Sequence, residues 1–353
     1  MEAAVAEEVF PGAVLLVARE EEVLLHMAWG VADLSSGRPV TAATVFDLAS
    51  LTKPLATALA VAWLVDQGRL DLDLPVATWL PALAGSDKAA ITPRQLLEHR
   101  SGLPPHRLFY MTLRLLPPLF RKASVLDLLI KVPLANRPGS ATLYSDLGYM
   151  LLCRLVEQVD GSALDRLLVD RIYGPMGIRD LFFVDLYSGI RPNKPFAATE
   201  LCPVRNRLLI GEVHDDNAWF AGGVDGHAGL FGTAEAILAL LHNLAAGFEG
   251  RTTAAPLSRT ILKKMLHGNP NHHFSLGFDR PSAENSSAGR YFSTGTVGHL
   301  GFTGVSFWMD LQTAVTVILL TNRVHPFRWQ NRLAEFRPRI HDRIMEHFGI
   351  QRD

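Results

Sequence analysis

Two apolar blocks bracket the chain. AVLLVA (13–18) and VLLHMAW (23–29) are partly β-branched and separated by the charged REEE, which predicts a two-stranded hairpin. VSFWMD (305–310) and AVTVILLTN (314–322) flank DLQT and predict a second hairpin near the other end. In FRWQNRLAEFRPRIHDRIMEHF, Trp329, Leu333, Phe336, Ile340 and Ile344 recur at helical spacing, with Pro338 expected to bend the helix. Strands at both ends accompanied by helices predict one mixed sheet, covered by helices and closed by both termini.

The interior reads differently. Residues 71–204 carry short helical patterns and many prolines, with ITPRQLLEH (91–99) and SVLDLLIKV (124–132) the clearest helices. This stretch is expected to be an inserted, mainly helical lobe, with 1–70 and 205–353 forming an α/β lobe of the same domain. GRLDLDLPVATWLPAL (68–83) reads as a loop-rich connector, and residues 271–290, rich in Gly, Pro and Ser, as a surface loop on which Asn271, His272 and His273 are expected to be exposed. Met111, Leu115, Leu116, Pro117, Pro118, Leu119 and Phe120 form an apolar patch that is either plain core or a lid admitting an acyl chain.

Composition narrows the function. The 353 residues carry a net charge of −1 and are 48% hydrophobic and 20% charged, as expected of a globular protein with a large core. No Lys/Arg-rich stripe is present, which argues against nucleic acid as a partner. Cys153 and Cys202 are the only cysteines and show no metal-binding or disulfide spacing, so both are expected to be buried thiols. The acidic start, MEAAVAEEVFPG, is unlike a secretory signal, and the longest apolar run is too short to cross a bilayer, so a cytoplasmic location without a membrane span is expected.

FDLASLTKPLATALAVAWLV (46–65) joins Ser50 to Lys53 and then runs into an apolar segment. Leu51, Leu55, Ala58, Ala62 and Val65 share one helical face, Pro54 suits a first turn, and Gly68 supplies a stop. Ser50 is therefore expected at a helix N-terminus with Lys53 three residues on, near enough for the two side chains to meet. A serine hydroxyl is a weak nucleophile until a base takes its proton, and a desolvated lysine of lowered pKa is one such base. This is the only Ser-x-x-Lys in the chain.

With that motif, LLEHRSGLP (96–104), LYSDLGYMLL (143–152), GGVDGHAGLFGT (222–233), SLGFDRP (275–281) and GHLGFTGVSFWMD (298–310) follow in order over nearly the whole chain. The sequence resembles the serine β-lactamase-like hydrolases, a family holding class C β-lactamases, D-alanyl-D-alanine peptidases and related esterases. The resemblance implies an α+β fold of the β-lactamase/transpeptidase type. It implies Ser50 as nucleophile, Lys53 and Tyr144 as the proton-handling pair, and the backbone N–H groups of Ser50 and Phe302 as oxyanion hole. Which of Lys53 and Tyr144 is the formal base stays open. A phenol beside one or two cations is expected to be depressed below its usual value near 10.

Two departures bear on substrate. Asp146 stands where the lactamase and peptidase branches carry asparagine, and His299 where lactamases carry a lysine; Gly301 would let a substrate approach the backbone. Asp146, His299 and Gly301 are thus the expected substrate-binding residues. Both changes weaken recognition of an anionic substrate, so hydrolysis of a neutral carboxylic ester or small amide is the first expectation. D-alanyl-D-alanine carboxypeptidase, weak β-lactamase, acyltransferase and non-hydrolytic penicillin-binding sensor are the alternatives. Asp146 paired with Lys53 would hold the lysine charged and leave Tyr144 as the better base. No cofactor or metal is expected: His214-Asp215 and His227 lack the further ligands a metal site needs, and His214 and His227 are expected to line the pocket or to be structural.

Overall fold

A computed structural model describes residues 1–267 and 272–350. The main sheet has eight strands in the spatial order Arg38–Pro39, Glu22–Asp33, Gly12–Arg19, Val315–Thr321, Ser306–Asp310, Thr296–Leu300, Phe278–Asp279 and Phe274–Ser275. Every pairing is antiparallel, and the first and last segments of the chain meet at its centre, with Leu15 opposite Leu319 and Val17 opposite Val317. Both expected hairpins form. The central strands are buried on both faces, which is why they read as continuous apolar runs. Side chains alternate with period two. Leu15, Val17 and Trp308 pack with Phe10, Leu333 and Met345 of the termini. Val14, Leu16 and Phe307 pack with the helices Ala58–Asp66 and Ala234–Glu249 on the other face.

The C-terminal helix is Leu333–His347, with Pro338 inside it. Trp329, expected on that helix, lies before it and is exposed. The Arg323 guanidinium donates to the carbonyls of Arg328 and Gln330, at 3.3 and 2.6 Å, and so fixes this segment as a loop. The 271–290 segment also differs from expectation. Phe274–Ser275 and Phe278–Asp279 form the outermost strands, and His272 is only part-exposed, 2.9 Å from the Glu98 carboxylate. Asn271 lies outside the described residues.

Residues 71–204 include the helices Pro93–Leu97, Pro118–Lys131 and Asp146–Asp160. Thr92 and Gln95 close a reciprocal cap on the first, and the Ser145 hydroxyl caps the third. Leu181–Phe183 returns to the other part of the chain, pairing with Leu230–Gly232, which in turn pairs with Phe46–Asp47. That small sheet leads the chain directly into Ser50.

Candidate active site

Ser50 is presented by a strained turn rather than by a regular helix start. Ala49–Leu51 is a 3₁₀ turn, Lys53–Thr57 a wide turn of the i→i+5 kind, and only Ala58–Asp66 is α-helical. Ala49 has φ +45, a conformation that L-residues rarely adopt and that costs about 1–2 kcal/mol. Asp47 offsets the strain: its buried carboxylate accepts from the Ala49 N–H at 2.8 Å and from the His214 N–H at 2.6 Å. Burial raises the Asp47 pKa despite those two bonds. The Thr303 hydroxyl donates to the Asp47 carbonyl at 2.7 Å, tying the 301–305 loop to the Ser50 turn.

Lys53 is wholly buried, which ties its ammonium to a small set of partners. It donates to Ser50 Oγ at 2.9 Å and to the His227 carbonyl at 3.1 Å, and Asp146 Oδ1 lies 2.7 Å away. Burial alone pulls its pKa down, but the Asp146 carboxylate and Tyr144 outweigh that, and the net shift is upward. Asp146 mirrors this: burial raises it, Lys53 more than compensates, and it stays ionised well below the usual carboxylate range. The expected lowered lysine is therefore corrected. Desolvation acts as anticipated, and a carboxylate at contact distance reverses it.

The Tyr144 ring lies 4.9 Å from Lys53 Nζ, which puts its phenol beside the Lys53–Ser50 pair. Its pKa rises above the ordinary value, because burial and the Asp146 charge outweigh the Lys53 cation, so the expected depression does not occur. His99 stacks on Tyr144 with centroids 4.3 Å apart, and Phe274 meets His99 edge-on at 4.6 Å. His99 Nδ1 accepts the Ser145 N–H at 3.0 Å, which assigns the ring proton to Nε2. Burial and Lys53 keep this ring neutral.

Ser50, Lys53, Tyr144 and Asp146 come together, and His299 closes one side with its ring 6.0 Å from that of Tyr144. The His299 Nδ1–H donates to the Leu300 carbonyl at 2.8 Å, leaving Nε2 as a buried lone pair without a partner among the described residues. Burial lowers its pKa to about 4. It is neutral at pH 7. Gly301 is bare first of all for the protein's own packing: a Cβ there would fall 2.4 Å from Val305 Cγ2 and 2.8 Å from the Leu48 carbonyl oxygen. Phe302 projects outward with its ring half-exposed, under the Arg323 guanidinium at 4.9 Å.

Several contributors carry little sequence signal. His227 contributes its carbonyl to Lys53, and its ring lies between Asp215 at 2.9 Å and Asp225 at 3.9 Å. Burial lowers its pKa, but the two carboxylates reverse this and lift it to about 10. His214 is held by Glu200 at 3.0 Å. Among the described residues no His/Cys/Asp/Glu group is arranged to hold a metal. His106, 3.6 Å from Asp146, and His99 have no distinguishing pattern, whereas Asp47 shows the side-chain turn that Asp-x-Ala spacing permits. A cavity of about 810 Å³ lined by Arg94, Glu98, Lys263, Lys264 and Leu276 includes neither Ser50 nor Lys53.

Comparisons with known proteins bear on the family and the fold. A putative D-alanyl-D-alanine carboxypeptidase of Escherichia coli (strain K12) is 31% identical over 344 residues, covering 90% of this chain and 79% of that protein. An N-acetylmuramyl-L-alanine amidase of Bacillus subtilis (strain 168) is 32% identical over 346 residues, covering 90% and 78%. The fold is also that of EstCE1, a hydrolase with promiscuous acyltransferase activity, at a TM-score of 0.70 and 23% identity over 94% of this chain and 96% of that one. The family model described as Beta-lactamase matches residues 1–336, and the chain belongs to that family of serine hydrolases.

Proposed function

We propose that the protein cleaves a neutral carboxylic ester or small amide through an acyl-enzyme on Ser50. The observation that carries this reading is the neutral His299, buried beside a Lys53 cation already committed to Asp146. An anionic peptide or lactam needs a spare cation to receive its carboxylate. Arg323 does not supply one, since its guanidinium is bonded to the carbonyls of Phe302, Arg328 and Gln330. The fold itself does not choose, because it carries both peptidase and esterase chemistries.

In this reading Lys53 donates to Ser50 Oγ and lowers the cost of negative charge there. The Ser50 proton passes to the oxygen of Tyr144 in its phenolate form as Oγ bonds to the carbonyl carbon. Backbone N–H groups of Ser50 and Phe302 receive the oxyanion. Ser50 suits that role because first-turn N–H groups have no helical partner. The oxyanion then collapses, the bond to the leaving alkoxide or amine breaks, and Tyr144 returns the proton to it. Water attacks the acyl-enzyme while Tyr144 takes its proton, and Ser50 Oγ leaves reprotonated. Because the Tyr144 pKa is raised above 10, the reactive phenolate is scarce at neutral pH. The ester kcat/KM is therefore expected to rise roughly tenfold per pH unit from pH about 6 to 9. A flat profile over that range would remove Tyr144 as base.

A second reading, D-alanyl-D-alanine carboxypeptidase, is favoured by the name of the Escherichia coli relative. The two are separated by comparing kcat/KM on p-nitrophenyl butyrate with D-alanine release from diacetyl-lysyl-D-alanyl-D-alanine. The ester is expected to be faster by about 100-fold or more. Faster release of D-alanine would overturn the ester reading in favour of the peptidase.

A further inference from the structure

A strap of the 71–204 lobe turns apolar side chains both inward and outward. Tyr110–Leu113 is one helical turn, and Pro118 opens the helix Pro118–Lys131. Phe109 and Leu113 are buried beneath it, while Leu108, Met111, Leu115, Leu119 and Phe120 are exposed, Leu115 at 77% and Leu119 at 84%. A surface segment with a buried apolar face ordinarily shows water a polar one. A clustered exception marks a contact surface.

Charge specifies the partner. Between Glu98 and Asp127 the chain holds no Asp or Glu, and Arg107 and Arg114 stand exposed among the apolar side chains. A second segment adjoins the first through Phe220. Tyr110 stacks on the Phe220 ring at 6.1 Å, the Arg121 guanidinium lies 5.3 Å from it, and the Tyr187 hydroxyl donates to the Phe220 carbonyl at 3.3 Å. Tyr187, Ile190 and Arg191 of that segment are exposed as well. The strap begins at the candidate active site, where His106 lies 3.6 Å from Asp146 and the Tyr110 N–H donates to Asn217 at 2.9 Å.

We propose that this strap docks on an anionic lipid bilayer and seats the Ser50 site at the membrane surface. Apolar side chains reaching the acyl boundary, with arginines at headgroup depth, are what peripheral binding to anionic lipid requires. A second copy of the chain fits less well, because a two-fold contact through this patch brings two arginine-bearing surfaces together with no Asp or Glu between residues 99 and 126 to pair them. Among the described residues no helix is long and apolar enough to cross a membrane, so the contact is peripheral. The proposal stands whatever the substrate.

The test is co-sedimentation of the full chain with sucrose-loaded phosphatidylcholine vesicles containing roughly 30 mol% phosphatidylglycerol, beside phosphatidylcholine alone. Wild type is expected to pellet with the anionic vesicles and to be released by high salt. Leu115→Glu with Leu119→Glu is expected to weaken partitioning by about tenfold or more, and Arg107→Gln with Arg114→Gln by roughly tenfold. Both double variants should keep the wild-type circular dichroism melt and turnover of a soluble ester, which shows that they are folded. Three results overturn the proposal: wild type that ignores anionic vesicles, folded variants that bind like wild type, and a lipid-free dimer that the glutamate variant dissolves.

Discussion

Two buried histidines flank the Lys53 ammonium, one charged and one neutral at pH 7. His227 titrates at about 10 and His299 at about 4, although burial pushes both downward. What differs is the company each ring keeps. His227 lies between Asp215 and Asp225, while the His299 ring bonds only to the Leu300 carbonyl. Burial makes an imidazole neutral by default, and paired carboxylates overturn that default. The His227 side of the site is therefore a charged scaffold that fixes Lys53 through a carbonyl, and the His299 side is an uncharged wall.

The comparison breaks most severely at His227. His227→Ala leaves the buried Asp225 and the part-exposed Asp215 without their shared cation, and a loss of about 3 kcal/mol in denaturant unfolding is expected. Arg154, 3.7 Å from Asp225, relieves only part of it. Titration sharpens the contrast without removing an atom. His227 has a folded pKa of about 10 against an ordinary imidazole value of 6.5, so its stabilisation is complete below 6.5 and is lost as pH rises toward 10. His299 has the opposite sign: its native pKa of about 4 makes stability fall as pH drops from 6.5 toward 4. Unfolding across both windows, in wild type, His227→Gln and His299→Gln, should show the slope reduced by that group's share in the matching variant, the rest of the acid-side slope coming from His99 and His341. A slope unchanged in its variant belongs entirely to other groups.

Asp146→Asn comes next, because Asp146 is partly exposed. A cost of about 1–3 kcal/mol is expected from leaving Lys53 buried without its carboxylate. The Lys53 pKa should fall, and the alkaline rise in ester turnover should move to lower pH. An unmoved profile would mean that the Lys53–Asp146 pair does not set the proton chemistry. The smallest effect is expected at His299. His299→Gln swaps one neutral side chain for another and should change stability by about 1 kcal/mol or less and ester kcat/KM by less than about tenfold. A collapse of ester turnover in a folded His299→Gln would assign His299 a part in the chemistry.

Much of this was legible in the sequence, and the limits have physical causes. Both hairpins and the Ser50–Lys53 adjacency read out because apolar periodicity and short spacing are local signals, whereas the Tyr144-Ser145-Asp146 box was legible only through the family resemblance. The charge state of Lys53 was not readable from its apolar neighbours alone, since its partner Asp146 is 93 positions away and the sign turns on a 2.7 Å contact. The edge strands at Phe274–Ser275 and Phe278–Asp279 are two residues each, too short to show a period. His227 acts on Lys53 through a backbone carbonyl, which any residue possesses. Ala49 gave no hint of its positive φ, because that conformation is held by bonds to Asp47 and by the loop that Thr303 ties to it.

The central claim is that Ser50 becomes acylated by a neutral ester. Intact-mass spectrometry after brief incubation with p-nitrophenyl butyrate or acetate, beside a penicillin and a fluorophosphonate, on wild type and Ser50→Ala, addresses it directly. The account predicts a transient acyl adduct on wild type with ester turnover, a lasting fluorophosphonate adduct, and neither on Ser50→Ala. A stable penicillin adduct without ester turnover, or an ester adduct that persists in Ser50→Ala, would contradict it.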